Sequence, residues 1–414
     1  MELIKGSATA LLIKLFAAAL SFVVAASITR TVGQEVAGLY FFGTAIVAVL
    51  VSFGSLGLNN AVLKHVAIYY NQNNLLALNA IVNKSILWAM FASVLVVILV
   101  MVGLQHLGPK ELDVYASLEP FIFSIPGLVT VALLAHAIQG TNKVVSSMLL
   151  GGIIQPLVFF ALILAIEPQT TFDLATCYTA SALLTTAITV IYWVTSVKFT
   201  FSMDFPSEPL RKSSFSLLVF QVFQQFNLVI GLVILGVWGT AEEVAVFSVA
   251  LKIASITSII MFAVNRVAAP KFAALHSEGD TVGLSLAVKH SKRIMLLGSL
   301  PILIIFLSLP EFVLGLFGSD YKSGAIILRL LAFVQLLSVW VGSVSYLLIM
   351  TGEEKTHRNN VILATLVSCS IGIAVVQSNA MMGAVLVSAL CVLIVSLLSG
   401  LAVYRKLNIN ILKF

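Results

Sequence analysis

Long apolar stretches alternate with short polar connections along the chain, and this pattern predicts membrane-spanning helices throughout. A helix needs about 20 predominantly apolar residues to cross a bilayer. Residues 85–109, 120–142 and 144–166 each exceed that length without an Asp, Glu, Lys or Arg. We therefore predict twelve spans, near residues 9–29, 38–61, 85–104, 118–139, 146–165, 174–196, 214–236, 244–266, 294–316, 325–350, 360–378 and 381–403.

The composition excludes the soluble classes of protein. Of the 414 residues, 60% are hydrophobic and only 10% are charged, against about 25% charged in a typical soluble domain. A soluble enzyme, a nucleic-acid-binding domain and a disulfide-stapled secreted module are therefore ruled out. Cys177, Cys369 and Cys391 fall within predicted spans, so we expect free thiols that pack as small apolar groups. No small-residue cleavage site follows the first span, and we expect that span to be retained.

The cations predict the orientation in the membrane, because cytoplasmic segments carry an excess of Lys and Arg. If the N-terminus is cytoplasmic, the outside segments hold only Arg30, Lys110 and Lys322 of the 23 cations. Most of the others fall in inside segments. Both termini are therefore expected in the cytoplasm, and the net charge of +6 reflects this bias and contact with anionic lipid rather than nucleic-acid binding.

The chain is predicted to consist of two six-helix halves, residues 1–200 and 214–414, joined by a cytoplasmic linker at 201–213. A shift of 208 residues places the run Gln34–Ala37 on Glu242–Ala245, and each run opens a span. With six helices per half, the repeats are parallel and related by an axis along the membrane normal, as in many transporters. The expected fold is an all-α polytopic membrane protein with a parallel pseudo-twofold.

A similar segment follows the second span of each half. Residues 64–84 and 271–293 are polar enough, and bounded by enough cations, to predict a short amphipathic helix on the cytoplasmic surface. Asn59 and Asn60 are expected to cap the inner end of span two.

Charged side chains inside the membrane are costly and are functional candidates by default. Lys252 lies about eight residues into span eight, with Ser248 and Ser255 on the same helix face. It lines a cavity, or it contacts a carbonyl or carboxylate of a neighbouring helix. Lys14 lies near the cytoplasmic end of span one. Either it lines a cavity, or its side chain extends to place the ammonium group at the inner membrane interface.

Other polar residues are weaker candidates. Arg30 and Arg329 lie near the outer ends of their spans, where they face a substrate path or anchor the helices at the interface. Gln221 and Gln225 share a face of span seven and line a cavity or join two helices by hydrogen bonds.

The sign of the buried charge favours an anionic substrate. No Asp or Glu falls inside spans one, two, seven or eight. A phosphate or pyrophosphate group would be held by Lys and Arg side chains, whereas a site for cationic drugs would need carboxylates. Walker A loops, nucleophile elbows and metal-ligand spacings are missing from the sequence. We therefore expect no catalytic residue, no metal and no cofactor, apart from an H⁺ or Na⁺ ion that drives transport.

Two local motifs and the twelve-span organisation resemble a known family. The motifs are Glu243–Ala250, which opens span eight, and Leu314–Tyr321, the turn before span ten. With the two parallel halves, they resemble bacterial polysaccharide flippases of the O-antigen (Wzx) type. These belong to the multidrug/oligosaccharidyl-lipid/polysaccharide (MOP) exporter superfamily, which includes the multidrug and toxic compound extrusion (MATE) transporters. The resemblance covers essentially the whole chain.

The resemblance implies translocation of an undecaprenyl-pyrophosphate-linked oligosaccharide from the cytoplasmic to the periplasmic leaflet of the bacterial inner membrane by alternating access. It also implies a MATE-like fold, a central cationic cavity between the halves, contact with membrane lipids and partners among other polysaccharide assembly proteins. Lys14, Lys252, Arg329 and Arg30 are the expected substrate-binding cations, with Gln221, Gln225, Ser248 and Ser255 as secondary polar lining. A MATE-type exporter of drugs or cations and a membrane-embedded polysaccharide polymerase or ligase remain the alternatives.

Overall fold

The computed structural model describes residues 2–104, 118–197, 200–202 and 207–409, with the side chains of 2–8, 104 and 207–216 left undescribed. All regular structure in these ranges is helical. In the first part of the chain the helices are α1 (Glu2–Thr31), α2 (Gln34–Gly54), α3 (Leu58–Asn71), α4 (Leu75–Leu104), α5 (Ile125–Gly140), α6 (Val144–Gly152), α7 (Ile154–Ile166) and α8 (Thr171–Ser196). A helical turn at 118–122 precedes α5.

The second part of the chain continues in the same way. Its helices are α9 (Ser207–Trp238), α10 (Ala241–Ala254), α11 (Thr257–Ser277), α12 (Thr281–Ser308), α13 (Pro310–Gly315), α14 (Ala325–Val341), α15 (Val344–Met350), α16 (Glu354–Val376) and α17 (Ala380–Leu407). A 3₁₀ segment, Ser319–Gly324, precedes α14.

Within the described ranges, twelve helical segments are long and apolar enough to cross a membrane, which agrees with the predicted number of spans. The described chain divides into two compact units. The N-terminal unit comprises Leu12–Val24 and Thr31–Gln225, and the C-terminal unit comprises Met1–Leu11, Ala25–Arg30 and Phe226–Phe414. Helix α9 begins at Ser207, inside the predicted linker, whose residues 203–206 lie outside the described ranges. The two predicted halves stay a prediction.

Helix α5 is the central helix of the N-terminal unit, where it packs against α2, α3, α4, α6 and α8. Its small residues allow this close packing: a Cβ at Gly140 would lie 2.8 Å from a methyl group of Val66 on α3. Aromatic side chains from four elements pack at the other end of α5. The rings of Tyr40 and Phe159 stack 5.5 Å apart, and those of Phe121 and Tyr178 lie 5.3 Å apart.

In the C-terminal unit α14 packs against α10, α12, α13 and α17, and α16 pairs with α17. Side chains at Gly372 and Gly383 would overlap Val387 and Val376, so small residues set the close approach of this pair. At one end of the unit, Phe272, Leu284, Leu347 and Val403 form a buried cluster that joins α11, α12, α15 and α17.

Several predicted spans are interrupted, among them spans two, eight and ten. Span two was expected to run to residue 61, but α2 ends at Gly54 and the turn continues through Leu56 and Gly57, which have φ values of 52° and 68°. Span eight breaks at Ser255–Ile256, between α10 and α11. Span ten breaks at Gly342, where φ is 85°. The apolar pattern continues across all three breaks, and left-handed backbone at Gly57 and Gly342 is accessible because glycine has no Cβ.

The predicted bounds of the surface helices, 64–84 and 271–293, are wrong, because each range is divided between two helices; a place on the cytoplasmic surface stays a prediction. Helix α3 covers only Leu58–Asn71 and α4 begins at Leu75, so Lys84 lies well inside a helix that crosses the membrane. Similarly, α11 continues to Ser277 and α12 starts at Thr281. Asn59 and Asn60 lie in the first turn of α3 and do not cap α2. The prediction of three free thiols is confirmed, with Cys177 and Cys391 buried. The outside cation Lys110 lies outside the described residues.

Candidate functional site

A small polar cavity lies inside the N-terminal unit, between α1, α5 and α6. Its volume is about 330 Å³, and Lys14, His136 and Ser147 supply its polar side chains. The walls consist largely of residues with little or no side chain: Ala17, Ala132, Ala135, Gly151 and Gly152. The space exists because large side chains are missing from three facing helices.

His136 is fixed in this cavity by its own helix. Its Nδ1 lies 2.7 Å from the carbonyl oxygen of Ala132, one turn earlier. Since a carbonyl only accepts hydrogen bonds, Nδ1 carries the proton in this contact. The neutral ring then has Nε2 as an acceptor. Lys14 and His136 together give the cavity a cation and an imidazole.

Lys252 is half-buried near the end of α10, directly before the helix breaks. The Ser255 hydroxyl donates to the carbonyl of Lys252 over 2.7 Å, and the Ser248 hydroxyl donates to that of Val244 over 2.6 Å. Only Ser255 contacts a carbonyl next to the break, and it is exposed, whereas Ser248 is buried and contacts a carbonyl near the start of α10. Their role as cavity lining stays a prediction.

Arg30 and Arg329 are exposed and contact the C-terminal ends of helices in their own unit. Arg30 Nε donates to the carbonyl of Leu316, just past α13, over 3.0 Å. Arg329 Nε donates to the carbonyl of Leu307, in the last turn of α12, over 3.2 Å. Carbonyls at helix C-termini lack intrahelical partners and carry partial negative charge. Each arginine therefore has a structural role, and its contact with substrate stays a prediction.

Gln221 joins two spans of the N-terminal unit. Its Nε2 donates to Ser55 Oγ over 3.0 Å, and Ser55 Oγ donates to the carbonyl of Ser52 over 2.9 Å. Ser55 is fully buried in the turn that ends α2. Gln221 thus makes the helix-to-helix hydrogen bond that was one of its two alternatives, while Gln225 lies one turn further along α9 and is half-buried.

Acidic residues avoid the interior of the described spans. Every Asp or Glu within the twelve segments lies among the first three residues of its segment. Lys14, Lys84, Lys252, Lys292 and Arg329 all lie deeper than that. The charge inside the spans is therefore almost entirely positive.

The sequence matches the family described as "Polysaccharide biosynthesis protein" over residues 3–276, which is more than half of the 414. The chain belongs to this polysaccharide biosynthesis family. The family resemblance seen in the sequence is thereby confirmed. No curated protein sequence matches the chain.

Solved structures similar to this polysaccharide biosynthesis protein are transporters of the MOP superfamily. An inward-facing multidrug resistance MATE family transporter has a TM-score of 0.77 at 15% identity, covering 94% of each chain. A MATE protein in complex with MaL6 has a TM-score of 0.69 at 14% identity, covering 98% of this chain and 96% of the other. A MOP superfamily transporter from Pyrococcus furiosus has a TM-score of 0.70 at 14% identity, covering 100% and 96%. These likenesses confirm the MATE-like, all-α polytopic fold.

Two polar residues of this polysaccharide biosynthesis protein, Lys292 and His136, were not among the site residues predicted from its sequence. Lys292 was assigned to an inside segment, yet it is only 2% exposed on α12, with Nζ 5.0 Å from the centroid of the Trp340 ring. The sequence did indicate this burial: Lys292 lies four residues after Val288 and three before Met295, so it shares a helix face with two apolar residues, and both of these are buried. His136 gave no such signal, since its proximity to Lys14 arises only in the folded unit.

Proposed function

We propose that this membrane protein translocates an oligosaccharide linked through pyrophosphate to a polyprenyl lipid, moving it from the cytoplasmic to the periplasmic leaflet of the bacterial inner membrane. The bilayer presents about 30 Å of hydrocarbon, which a charged and sugar-bearing headgroup cannot cross unaided. Alternating access would replace that barrier with polar surface open to one side at a time. No bond is made or broken in this proposal.

One observation carries the proposal: the interior of the described spans holds cations, whereas acidic residues are confined to the first three positions of their segments. Lysine and arginine bind phosphate oxygens through charge-assisted hydrogen bonds. Membership in a polysaccharide biosynthesis family supports a lipid-linked saccharide as the carrier of that phosphate. We assign Lys14 and Lys252 as the principal ligands, with Arg30, Arg329, Gln221, Gln225, Ser248 and Ser255 as secondary contacts.

The fold likeness to multidrug MATE transporters makes a drug exporter the second candidate function. A cationic drug would need carboxylates at depth, and the charge pattern of the described spans disfavours it. The Pyrococcus furiosus neighbour is described as having a binding pocket of reverse polarity that suggests a different function. We infer a comparable departure from drug transport for this chain.

The proposal also covers location and driving force. We propose that both termini lie in the cytoplasm, that the protein works without a cofactor, and that an H⁺ or Na⁺ gradient drives the cycle. Other polysaccharide assembly proteins are the expected partners. Reporter fusions at each terminus test the topology, and dissipating each gradient in vesicles tests the coupling ion.

The decisive experiment compares two charge-neutralising double variants in vesicles that contain a fluorescent polyprenyl-pyrophosphate oligosaccharide. Lys14→Gln with Lys252→Gln should slow flipping about 100-fold, because each charge-assisted contact contributes about 1.5–3 kcal/mol and 1.4 kcal/mol is tenfold. The matched control, Lys355→Gln with Arg405→Gln, removes two exposed cations and should flip at the wild-type rate. Wild-type flipping by the first variant, or transport of a cationic dye in place of the glycolipid, would overturn the assignment.

A further inference from the structure

A second cavity, unrelated to the proposed ligands, opens between α11 and α12 of the C-terminal unit. Its volume is about 920 Å³, at the upper end of the usual range for small-molecule sites. It lies between the last turns of α11 and the first turns of α12, two helices joined by the short connection at 278–280. Ala268, Phe272 and Ala287, three residues of the buried cluster at this end of the unit, also line it.

One side of this cavity is apolar and open. Val267 is 71% exposed, Leu286 is 62% exposed and Ile294 is 47% exposed, and all three line it. In a membrane-spanning segment, apolar side chains exposed in this way meet hydrocarbon. The open side is therefore suited to an alkyl chain.

The polar part of the cavity is basic. Lys271 of α11 and Lys289, His290 and Arg293 of α12 line it, and no Asp or Glu occurs among its described lining residues. Lys289 and Arg293 are four residues apart and share a helix face. At 1.5 Å per residue, Lys271 lies about 9 Å from the end of α11 and Lys289 lies about 12 Å from the start of α12, so both are near the connection between the two helices.

We propose that this cavity is a binding site for an anionic phospholipid of the surrounding bilayer. Lys271, Lys289 and Arg293 would hold the phosphate, and Val267, Leu286 and Ile294 would contact the first part of one acyl chain. The match is one of charge and polarity: cations near the connection of two membrane helices, without a carboxylate in the described lining, beside an open apolar wall. Basic pockets between membrane helices are suited to anionic headgroups in this way. The site lies within one unit and does not depend on the proposed transport.

The test is native mass spectrometry of the purified full-length protein titrated with phosphatidylglycerol, and with diacylglycerol as the lipid that lacks a phosphate. We expect phosphatidylglycerol to be retained at least about tenfold better than diacylglycerol. Lys289→Gln with Arg293→Gln should weaken it about tenfold or more, since one lost charged hydrogen bond is worth about 1.5–3 kcal/mol. Lys355→Gln with Arg405→Gln, whose residues do not line the cavity, should leave binding unchanged.

A second variant separates shape from charge. Val267→Trp fills the open apolar side while leaving every cation in place, and it should also reduce phosphatidylglycerol retention. Equal retention of diacylglycerol, equal loss in the control variant, or displacement of the phospholipid by millimolar inorganic phosphate would each overturn the proposal. So would a clear preference for polyprenyl pyrophosphate, which would reassign the cavity to the transported lipid.

Discussion

The two cavities differ in how the sequence creates them. The N-terminal one is small, about 330 Å³, and is walled by alanines and glycines on three helices around Lys14 and His136. The C-terminal one is about 920 Å³, with Lys271, Lys289 and Arg293 next to exposed branched residues. The two differ in size and in the bulk of their lining side chains, and each is lined by at least one cation and by no described acidic residue. On the two proposals, the same class of cation would serve a polar headgroup in one unit and an amphipathic lipid in the other.

Among single substitutions, the largest effect should come from filling the small cavity. Gly152 lines it, and a Cβ at this position would meet no atom within 4 Å. Gly152→Leu should therefore fold normally yet occupy the space beside Lys14. We expect flipping of the lipid-linked oligosaccharide to fall about tenfold or more, because a loss of about 1.4 kcal/mol in substrate binding is tenfold.

Gly103 offers a matched control for this substitution. It lies at the end of α4, where an added Cβ also meets nothing within 4 Å, and it does not line the cavity. Gly103→Leu should flip at the wild-type rate, and both leucine variants should retain phosphatidylglycerol. Equal flipping by the two variants would remove the cavity around Lys14 from the transport path.

The comparison also indicates what the sequence could predict. Uninterrupted apolar runs were sufficient for twelve spans, because burial in lipid requires long apolar helices whatever the tertiary contacts. The break at Ser55–Gly57 was not predictable from that pattern: Leu56 is apolar, and the turn is stabilised by the contact of buried Ser55 with Gln221, 166 residues away. Lys14 could be singled out by its depth, but its neighbour His136 is brought close only by folding.

A medium effect is expected at Lys292, a buried cation near the larger cavity. Its Nζ lies over the ring of Trp340, and such contacts contribute about 0.5–1 kcal/mol, or about 2 when desolvated. Trp340→Leu should therefore lower the free energy of unfolding, and the loss should be smaller in a Lys292→Met background. A double-mutant cycle measured by denaturant unfolding should give a coupling of about 0.5–2 kcal/mol.

Trp238 provides the control for that cycle, because it is a half-exposed tryptophan of the same unit at the end of a different helix. Trp238→Leu should show no coupling to Lys292→Met, as expected for distant sites. A coupling at Trp340 no larger than at Trp238 would mean that the ring does not stabilise the cation. Lys292 would then be grouped with Lys271, Lys289 and Arg293, the cations of the larger cavity in the C-terminal unit.

The smallest effect concerns Lys406, a cation that contacts the carboxylate of Glu353. Lys406 Nζ donates a hydrogen bond to Glu353, and Thr356 Oγ1 donates a second over 2.8 Å. The contact with Lys406, supported by Thr356, holds the pKa of Glu353 below its ordinary value. A lowered carboxyl pKa stabilises the fold at pH values above the unfolded pKa of about 4.3, and this stabilisation is lost as the pH falls through the folded pKa. Glu353→Gln should lower the Tm slightly at pH 7, and the difference from wild type should vanish near pH 3.

Glu354→Gln removes the neighbouring exposed carboxylate and leaves the Lys406 contact intact, so its Tm should not show this pH-dependent difference. Because the Glu353 side chain is partly exposed to solvent, added salt should also reduce the effect of Glu353→Gln. A difference that persists at pH 3 would mean that Glu353 stabilises the fold through its shape and not its charge. The phospholipid measurements alone would then test whether Lys289 and Arg293, whose cavity has no acidic lining residue in the described chain, bind a phosphate.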